Sequence, residues 1–387
     1  MEYSQGVPFD TLPLSASMLD ALRNSDFRVS TPVQAGCIPP MLDWRDVIAK
    51  APTGTGKTFA FGIPIVEHLD VKNPDVQAVI LSPTRELALQ IHEEMQFLSV
   101  CKPGARSVCL YGGAPIGKQL TALKRRPQII VATPGRLSDH MNRRSVNVST
   151  AQTVILDEVD RMLDMGFVHD VTRILDRMKN RKNLGLFSAT ISREVLDIAW
   201  VYQRDAEEVT VQEDEDNKPD IQQFRMETDD KAGAIAQILD ETGFDRCMVF
   251  CNTKSSAERT AYFLRLRGVD AECIHGDIPQ KRREQIMGRF RRGELPVFVS
   301  TDVAARGIDV DDVDIVFNAD IPDENHDYIH RIGRTGRAKR QGVAVSLIGD
   351  YPSRLRVNDI ARKTGNRIVP VGFGPDGKLM ALDPPAT

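Results

Sequence analysis

Three short stretches carry residues whose types and spacing could do chemistry. The first is Ala51-Pro52-Thr53-Gly54-Thr55-Gly56-Lys57-Thr58, which follows an apolar strand at Asp46–Ala49 and opens a helix through Phe59-Ala60-Phe61. A glycine-bearing loop between strand and helix aims backbone N–H groups at phosphates. The helix dipole adds positive potential, Lys57 reaches the β/γ-phosphates, and the Thr58 hydroxyl can ligate Mg²⁺. The first glycine of the usual phosphate-loop pattern is replaced by Ala51. A plain turn needing positive φ would account for Gly54 and Gly56, but not for the Lys-Thr pair behind them.

The second stretch is Asp157-Glu158, at the end of an apolar strand. One carboxylate there can hold Mg²⁺ bridging the β- and γ-phosphates while its neighbour orients or activates the attacking water. A helix start that favours acidic residues would look the same. The third is His330-Arg331-Ile332-Gly333-Arg334-Thr335-Gly336-Arg337. Arg334 and Arg337 share a helix face at i, i+3 and could act together as arginine fingers on a γ-phosphate. A solvated basic helix end, or phosphate contacts to nucleic acid, fits the same spacing.

These stretches need a scaffold, and the hydrophobic pattern supplies one. Apolar runs at Ala78–Leu81, Ser107–Leu110, Gln128–Val131, Thr153–Leu156 and Leu184–Phe187 alternate with helical segments. Continuous rather than alternating apolarity predicts parallel strands covered by helices on both faces. Each run ends in a small or polar cluster, and ligands bind beyond the carboxyl ends of such strands. A short amphipathic helix, with Leu14, Met18 and Leu22 at i, i+4 spacing, precedes the series. An acidic stretch at 206–220, with a strand at Val209–Val211 inside it, reads as a linker. A second alternating series follows, at Met248–Phe250, Ala271–Ile274, Val297–Val299, Ile315–Phe317 and Val343–Val345. Its segment in the place of the phosphate loop reads as Cys251-Asn252-Thr253-Lys254-Ser255-Ser256, without glycine. ATP is therefore expected between two similar domains, only one of which grips phosphate.

The 387 residues exceed one hydrophobic core and point to two domains. No apolar run is long enough to span a bilayer, and the N-terminus lacks a signal-peptide layout. The six cysteines form no C-x-x-C pair, and Cys247 and Cys251 read as buried strand thiols, so a reduced, cytoplasmic setting is expected. The net charge of −4 gives no global support for nucleic-acid binding, so any such partner needs a local basic surface.

The chain resembles the DEAD-box family of ATP-dependent RNA helicases over nearly its whole length. Phe9 with the Phe27–Gln34 segment resembles the Q motif, and Ala51–Thr58 resembles motif I, alanine included. Pro83–Ala88, Gly112-Gly113 and Thr133–Arg136 are similar to the RNA-contacting motifs of the first domain. Asp157-Glu158-Val159-Asp160 stands at motif II and Ser188-Ala189-Thr190 at motif III. Phe250–Thr253, His275–Asp277, Gln280 with Arg283, Thr301–Asp309 and His330–Arg337 match the second domain.

The resemblance implies an α/β fold of two tandem RecA-like domains, each a mostly parallel sheet with helices on both faces. Their expected limits are 1–205 and 221–370, joined by the linker at 206–220 and followed by a disordered tail at 371–387. It implies ATP and Mg²⁺ as ligands. Phe9 would stack on adenine, with Phe27 beside it, and Gln34 would read the adenine edge. The loop Ala51, Pro52, Thr53, Gly54, Thr55, Gly56, Lys57 and Thr58 would hold phosphate, Asp309 the ribose, and Thr58 with Asp157 the metal, partly through water. Glu158 would position the hydrolytic water, and Arg334 with Arg337 would reach the γ-phosphate. Asp160, Ser188, Thr190 and His330 would couple the domains. Thr84, Arg85, Gly113, Thr133, Arg136, Thr253, Gly276, Arg283 and Thr301 would track one RNA strand's backbone, which carries no base code.

Two departures stand out. Val159 replaces the usual alanine of motif II, and Asp26 and Ser30 replace the glycine and proline usual in the Q motif. Chemistry is expected to survive the first, with a packing change near motif III; the second bears on loop shape and ATP preference. The expected activity is RNA unwinding or remodelling by a monomer, with protein partners choosing the target and no membrane involvement. The competing expectations are an ATP-dependent RNA clamp that seldom unwinds and a DNA translocase.

Overall fold

The computed structural model describes residues 5–52, 54–211, 220–305, 313–336 and 341–382. Thr53, Asp309 and Arg337, and most of the acidic stretch, lie outside these. The chain divides into two compact units, Met1–Glu215 and Asp216–Thr387.

The strands of the first unit are β1 (Val47–Lys50), β2 (Ala78–Leu81), β3 (Ser107–Leu110), β4 (Ile129–Ala132), β5 (Thr153–Asp157), β6 (Asn183–Ser188) and β7 (Glu207–Thr210). They form one sheet in the order β3-β4-β2-β5-β6-β1-β7, every pairing parallel. The continuous apolarity of the central strands has a direct structural cause. Val79, Leu81, Ile130, Ala132, Val154 and Leu156 enter one core layer, while Ala78, Ile80, Ile129, Val131 and Ile155 enter the other. With both faces covered, no strand position is left for polar alternation. β7 comes from the expected linker but pairs with β1 in register Val47↔Glu207, so the first unit continues past 205.

The second unit holds β8 (Ile221–Glu227), β9 (Cys247–Cys251), β10 (Ala271–Ile274), β11 (Val297–Thr301), β12 (Ile315–Asn318), β13 (Gly342–Ile348), β14 (Ile368–Phe373) and β15 (Leu379–Ala381). Their order is β10-β11-β9-β12-β13-β8-β14-β15. All pairings are parallel except the antiparallel β14–β15. Two expectations are corrected here. Residues 371–382, expected as part of a disordered tail, complete β14, turn, and form β15. The turn glycine Gly377 and the apolar Val371 and Phe373 packing toward the core explain how so glycine-rich a stretch is ordered.

The counterpart of the phosphate loop also lies elsewhere than expected. The two sheet orders match over seven strands, with β15 added to the second, so β8 answers to β1 and β9 to β2. The equivalent loop is therefore Thr228–Asp230, before the helix Lys231–Thr242, and not Cys251–Ser256. The Asp230 carboxylate accepts from Gly233 N at 2.9 Å, filling the helix N-terminus where a phosphate would otherwise sit. The conclusion that this unit lacks a phosphate grip stands, for a different reason.

Candidate functional site

At the carboxyl end of β1 the chain turns through Gly54 and Gly56, at φ 82° and 85°, into the helix Lys57–His68. A side chain at Gly56 would also collide with Gln34, its Cβ lying 2.5 Å from Nε2. Glycine is thus required both for conformation and for close approach. Ala51 N donates to Ser188 O at 3.0 Å, tying the loop to the end of β6. Ala51 is wholly buried, which is why a small residue stands there. Lys57 is 7% exposed and its Nζ donates to Ala51 O at 3.2 Å, so the ammonium curls back along the loop.

The Q-motif residues divide. Gln34 Oε1 accepts from Thr31 N at 2.9 Å and Nε2 donates to Gly56 O at 3.1 Å, clamping the helix start Pro32–Leu42 to the phosphate loop. Phe9, expected to stack on adenine, is 3% exposed and lies in the core layer that also holds Leu12, Met18 and Leu22. A ring with no free face cannot stack on a ligand. Phe27 is 42% exposed, with Phe59 beside it at 5.1 Å. The substituted loop keeps a defined shape. Asp26 takes the left-handed conformation, φ 61°, which aspartate tolerates better than most residues. Ser30 Oγ bridges the N–H and C=O of Val7 at 3.0 and 2.8 Å.

Asp157 ends β5 and is 3% exposed, with its Oδ1 accepting no hydrogen bond. Burial raises its pKa to about 7, against the pull of the nearby Lys57 ammonium and with the push of Glu158. Glu158 sits at φ 51° and is ion-paired with Arg161 one turn along, both side chains buried. Asp160 holds the neighbouring segment: its Oδ2 accepts from Thr190 N at 2.9 Å and Thr190 Oγ1 at 2.8 Å, and its N–H reaches Ser188 Oγ at 3.3 Å. Burial alone would raise the Asp160 pKa, but hydrogen bonds from Ser188 and Thr190 outweigh it and hold the group below the usual carboxylate value. Val159 is fully buried in the same core layer as Leu184 and Leu186.

The residues expected on RNA gather by strand. Thr84, Gly113 and Thr133 follow β2, β3 and β4, which are sheet neighbours. Thr84 caps the helix Arg85–Leu98 by accepting from Leu87 N at 3.3 Å. The Arg85 guanidinium lies so close over Gly113 (φ 87°) that a Cβ there would meet Nη1 at 2.2 Å. Arg136 Nη1 donates to Ala114 O at 3.1 Å, bringing it to the same turn.

The second unit repeats the arrangement at β9, β10 and β11, the counterparts of β2, β3 and β4. Thr253 caps the helix Lys254–Leu266, as Thr84 caps its own. Thr301, 7% exposed, ends β11, and Gly276 follows β10 beside Lys254. Arg283 is 8% exposed and donates to Ala304 O at 3.1 Å. Arg334, also 8% exposed, follows the helix Asn325–Ile332, which carries the half-buried His330.

One organising residue was not singled out from the sequence. Arg331 is 1% exposed. It donates to both oxygens of Asp302 at 2.6 Å, to Asn252 Oδ1 at 2.7 Å and to Asp320 O at 2.6 Å. It lies inside the His330–Arg337 stretch, but nothing in spacing marked it as inward-facing.

The DEAD/DEAH box helicase family matches residues 31–198, and the helicase conserved C-terminal domain matches residues 230–339. The DEAD-box ATP-dependent RNA helicase CshA of Bacillus subtilis (strain 168) is 42% identical over 88% of this chain and 69% of its own length. The chain belongs to the DEAD-box RNA helicases. The CshA of Geobacillus kaustophilus is 43% identical, over 88% of this chain and 73% of that relative. Among solved structures, S. cerevisiae Dbp5 bound to RNA and ADP BeF3 superimposes with TM-score 0.81 at 30% identity, covering 94% of this chain and 95% of that one. Mss116p bound to ssRNA and AMP-PNP gives TM-score 0.81 at 29% identity, covering 97% and 83%. Both sheets are accordingly RecA-like. Among the described residues, no helix is long and apolar enough to cross a membrane, and no cluster of His, Cys, Asp and Glu forms a metal site.

Proposed function

We propose that the protein is an ATP-dependent RNA helicase that unwinds short duplexes or remodels RNA–protein complexes as ATP and RNA draw its two domains together. The observation that carries the ATP site is the buried Asp157 carboxylate. It stands at a strand end within the field of Lys57, and its Oδ1 accepts no hydrogen bond. An orphaned, desolvated oxygen of this kind suits a hard cation, and Thr58 follows Lys57 at the helix start. Thr58 and Asp157 would thus hold Mg²⁺, which when bound neutralises charge on the β- and γ-phosphates.

This chain's own residues supply the rest. The Gly54–Gly56 turn and the helix N-terminus offer N–H donors, and Lys57 turns from Ala51 O to the phosphates. Phe27, with its exposed ring, takes adenine in place of Phe9, and Gln34 passes the state of that pocket to the loop through Gly56 O. Glu158 holds the attacking water. Asp160, through Ser188 and Thr190, links this site to His330, and Arg334, Arg337 and Asp309 complete the site from the second domain. Thr84, Arg85, Gly113, Thr133, Arg136, Thr253, Gly276, Arg283 and Thr301 hold RNA by its backbone. Val159 is an accommodated variant of motif II, since its side chain is absorbed by the core. A cytoplasmic monomer with separate targeting partners fits this reading.

The test is ATP turnover with and without RNA, together with strand displacement. Turnover should rise with RNA and vanish in Lys57→Ala and Glu158→Gln. RNA-independent turnover would sink the reading. Retention of RNA without displacement would favour the clamp, which the helicase names of the relatives do not support.

A further inference from the structure

We infer that the β3 edge of the first domain carries a second RNA-backbone surface, continuous with the motif contacts and running toward the opposite end of the sheet. The inference rests on the RNA-helicase reading above and extends it. Its starting point is charge. The chain as a whole has 50 basic and 54 acidic residues, yet residues 101–150 contain nine lysines and arginines against the single acidic Asp139.

The fold gathers part of this block onto one face. The helix Ile116–Leu123 begins directly after the Gly113–Ala114 turn, where Arg85 and Arg136 converge. It is pinned from behind, because Gln119 is 6% exposed, donates to Tyr111 O at 2.9 Å and offers Oε1 to His140 Nε2 at 3.0 Å. On its outer side Lys118 and Ala122 stand one turn apart, and Arg125 lies two residues past the helix end. Ala122 and Arg125 line a groove of about 450 Å³, the far wall of which includes Arg106. Lys118, Lys124, Arg125 and Arg106 are all exposed. The groove lining contains no carboxylate. Asp75 is paired with the adjacent Arg126 at 3.3 Å, and Glu93 lies one turn before the lining residue Gln96.

A helix C-terminus favours cations by its dipole, which accounts for Lys124 and Arg125 but not for Lys118 or Arg106. A strip that starts at the RNA motifs and descends an eight-residue helix, about 12 Å long, matches a polyanion better than scattered solubilising charge. That length spans a few phosphates of one strand, each a site for a basic side chain. It also gives an acidic chain a local positive surface for RNA.

The experiment compares the wild type with a Lys118→Gln/Lys124→Gln/Arg125→Gln variant, using single strands of about six and about twenty nucleotides in fluorescence anisotropy across a salt series. For the long strand the variant should bind about tenfold more weakly at low salt, with the log–log salt slope reduced by about 2, three contacts at about 0.7 each. Affinity for the short strand, and turnover saturated with it, should be unchanged. A Lys118→Arg/Lys124→Arg variant keeps the charge and should retain long-strand affinity and slope. Unchanged long-strand affinity and slope in the glutamine variant would overturn the inference and leave the basic edge to an acidic protein partner. Failure of the short strand to stimulate wild-type turnover would instead refute the helicase reading itself.

Discussion

Replacing Arg331 by methionine should cost the second domain about 3–4 kcal/mol. The side chain is among the largest fully buried in the molecule and makes a two-pronged pair with Asp302, at 2.6 Å through both Nε and Nη2. Methionine fills much of the volume, so the loss is electrostatic rather than a cavity. Removing one partner of a buried pair leaves the other charge uncompensated, which costs about 3–5 kcal/mol. Asp302 is 21% exposed, so some water can reach it, and the lower part of that range applies. The lost bonds to Asn252 Oδ1 and Asp320 O are contained in the figure rather than added to it. Equilibrium urea unfolding followed by far-ultraviolet circular dichroism reports both domains, and tryptophan emission, from Trp44 and Trp200 of the first alone, supplies the reference that separates out the second. Adding Asp302→Asn to the methionine variant removes the stranded charge and should recover at least about 1 kcal/mol. Lysine cannot reproduce the fork and should rescue little. A cost below about 1 kcal/mol, or no recovery in the double variant, would refute the hub.

Three further outcomes follow from other sites. Gly56→Ala should weaken nucleotide binding at least about tenfold, because it forces an L-residue to φ 85° and drives Cβ into Gln34; equilibrium dialysis with ATP checks it, and near-normal affinity would show that the loop relaxes freely. Val159→Ala should lower stability of the first domain by about 1–2 kcal/mol through lost burial while leaving turnover within about threefold, measured by unfolding and ATP hydrolysis on one preparation. His140 is fully buried, and burial depresses its pKa below the ordinary 6.5. In the window below 6.5 this imidazole binds a proton in the unfolded chain that it refuses in the folded one, so its contribution to stability falls as pH drops from 7 toward 5; His140→Gln should remove that part of the pH dependence in thermal unfolding, leaving the opposite pull of Asp157 and the parallel ones of His68 and His92.

Most of the first domain was legible because its strands are buried on both faces. Ala78–Leu81 and Thr153–Asp157 are solid apolar runs with no competing period, and both lie in the middle of the sheet. β8 escaped notice because Ile221-Gln222-Gln223-Phe224-Arg225-Met226-Glu227 mixes polar and apolar residues and is only partly buried. Missing it shifted the apparent counterpart of the phosphate loop by one strand. The site residues were legible as a set because their motifs are short and local. Their orientation was not, since no spacing rule separates the buried ring of Phe9 from the open one of Phe27, or Arg331 from Arg334. Those distinctions depend on which side of a turn the core lies, and that is decided by long-range packing.

The β14–β15 hairpin covers the flank of β8, which pairs with β13 on its other side. β8 is the counterpart of β1, whose own flank is covered by β7. A truncation at 367 would strip this cover and leave a seven-residue strand with a free row of N–H and C=O groups, the usual template for intermolecular pairing. Shortened versions of this chain should therefore stop after β15; a cut before β14 trades a helicase domain for an aggregation seed.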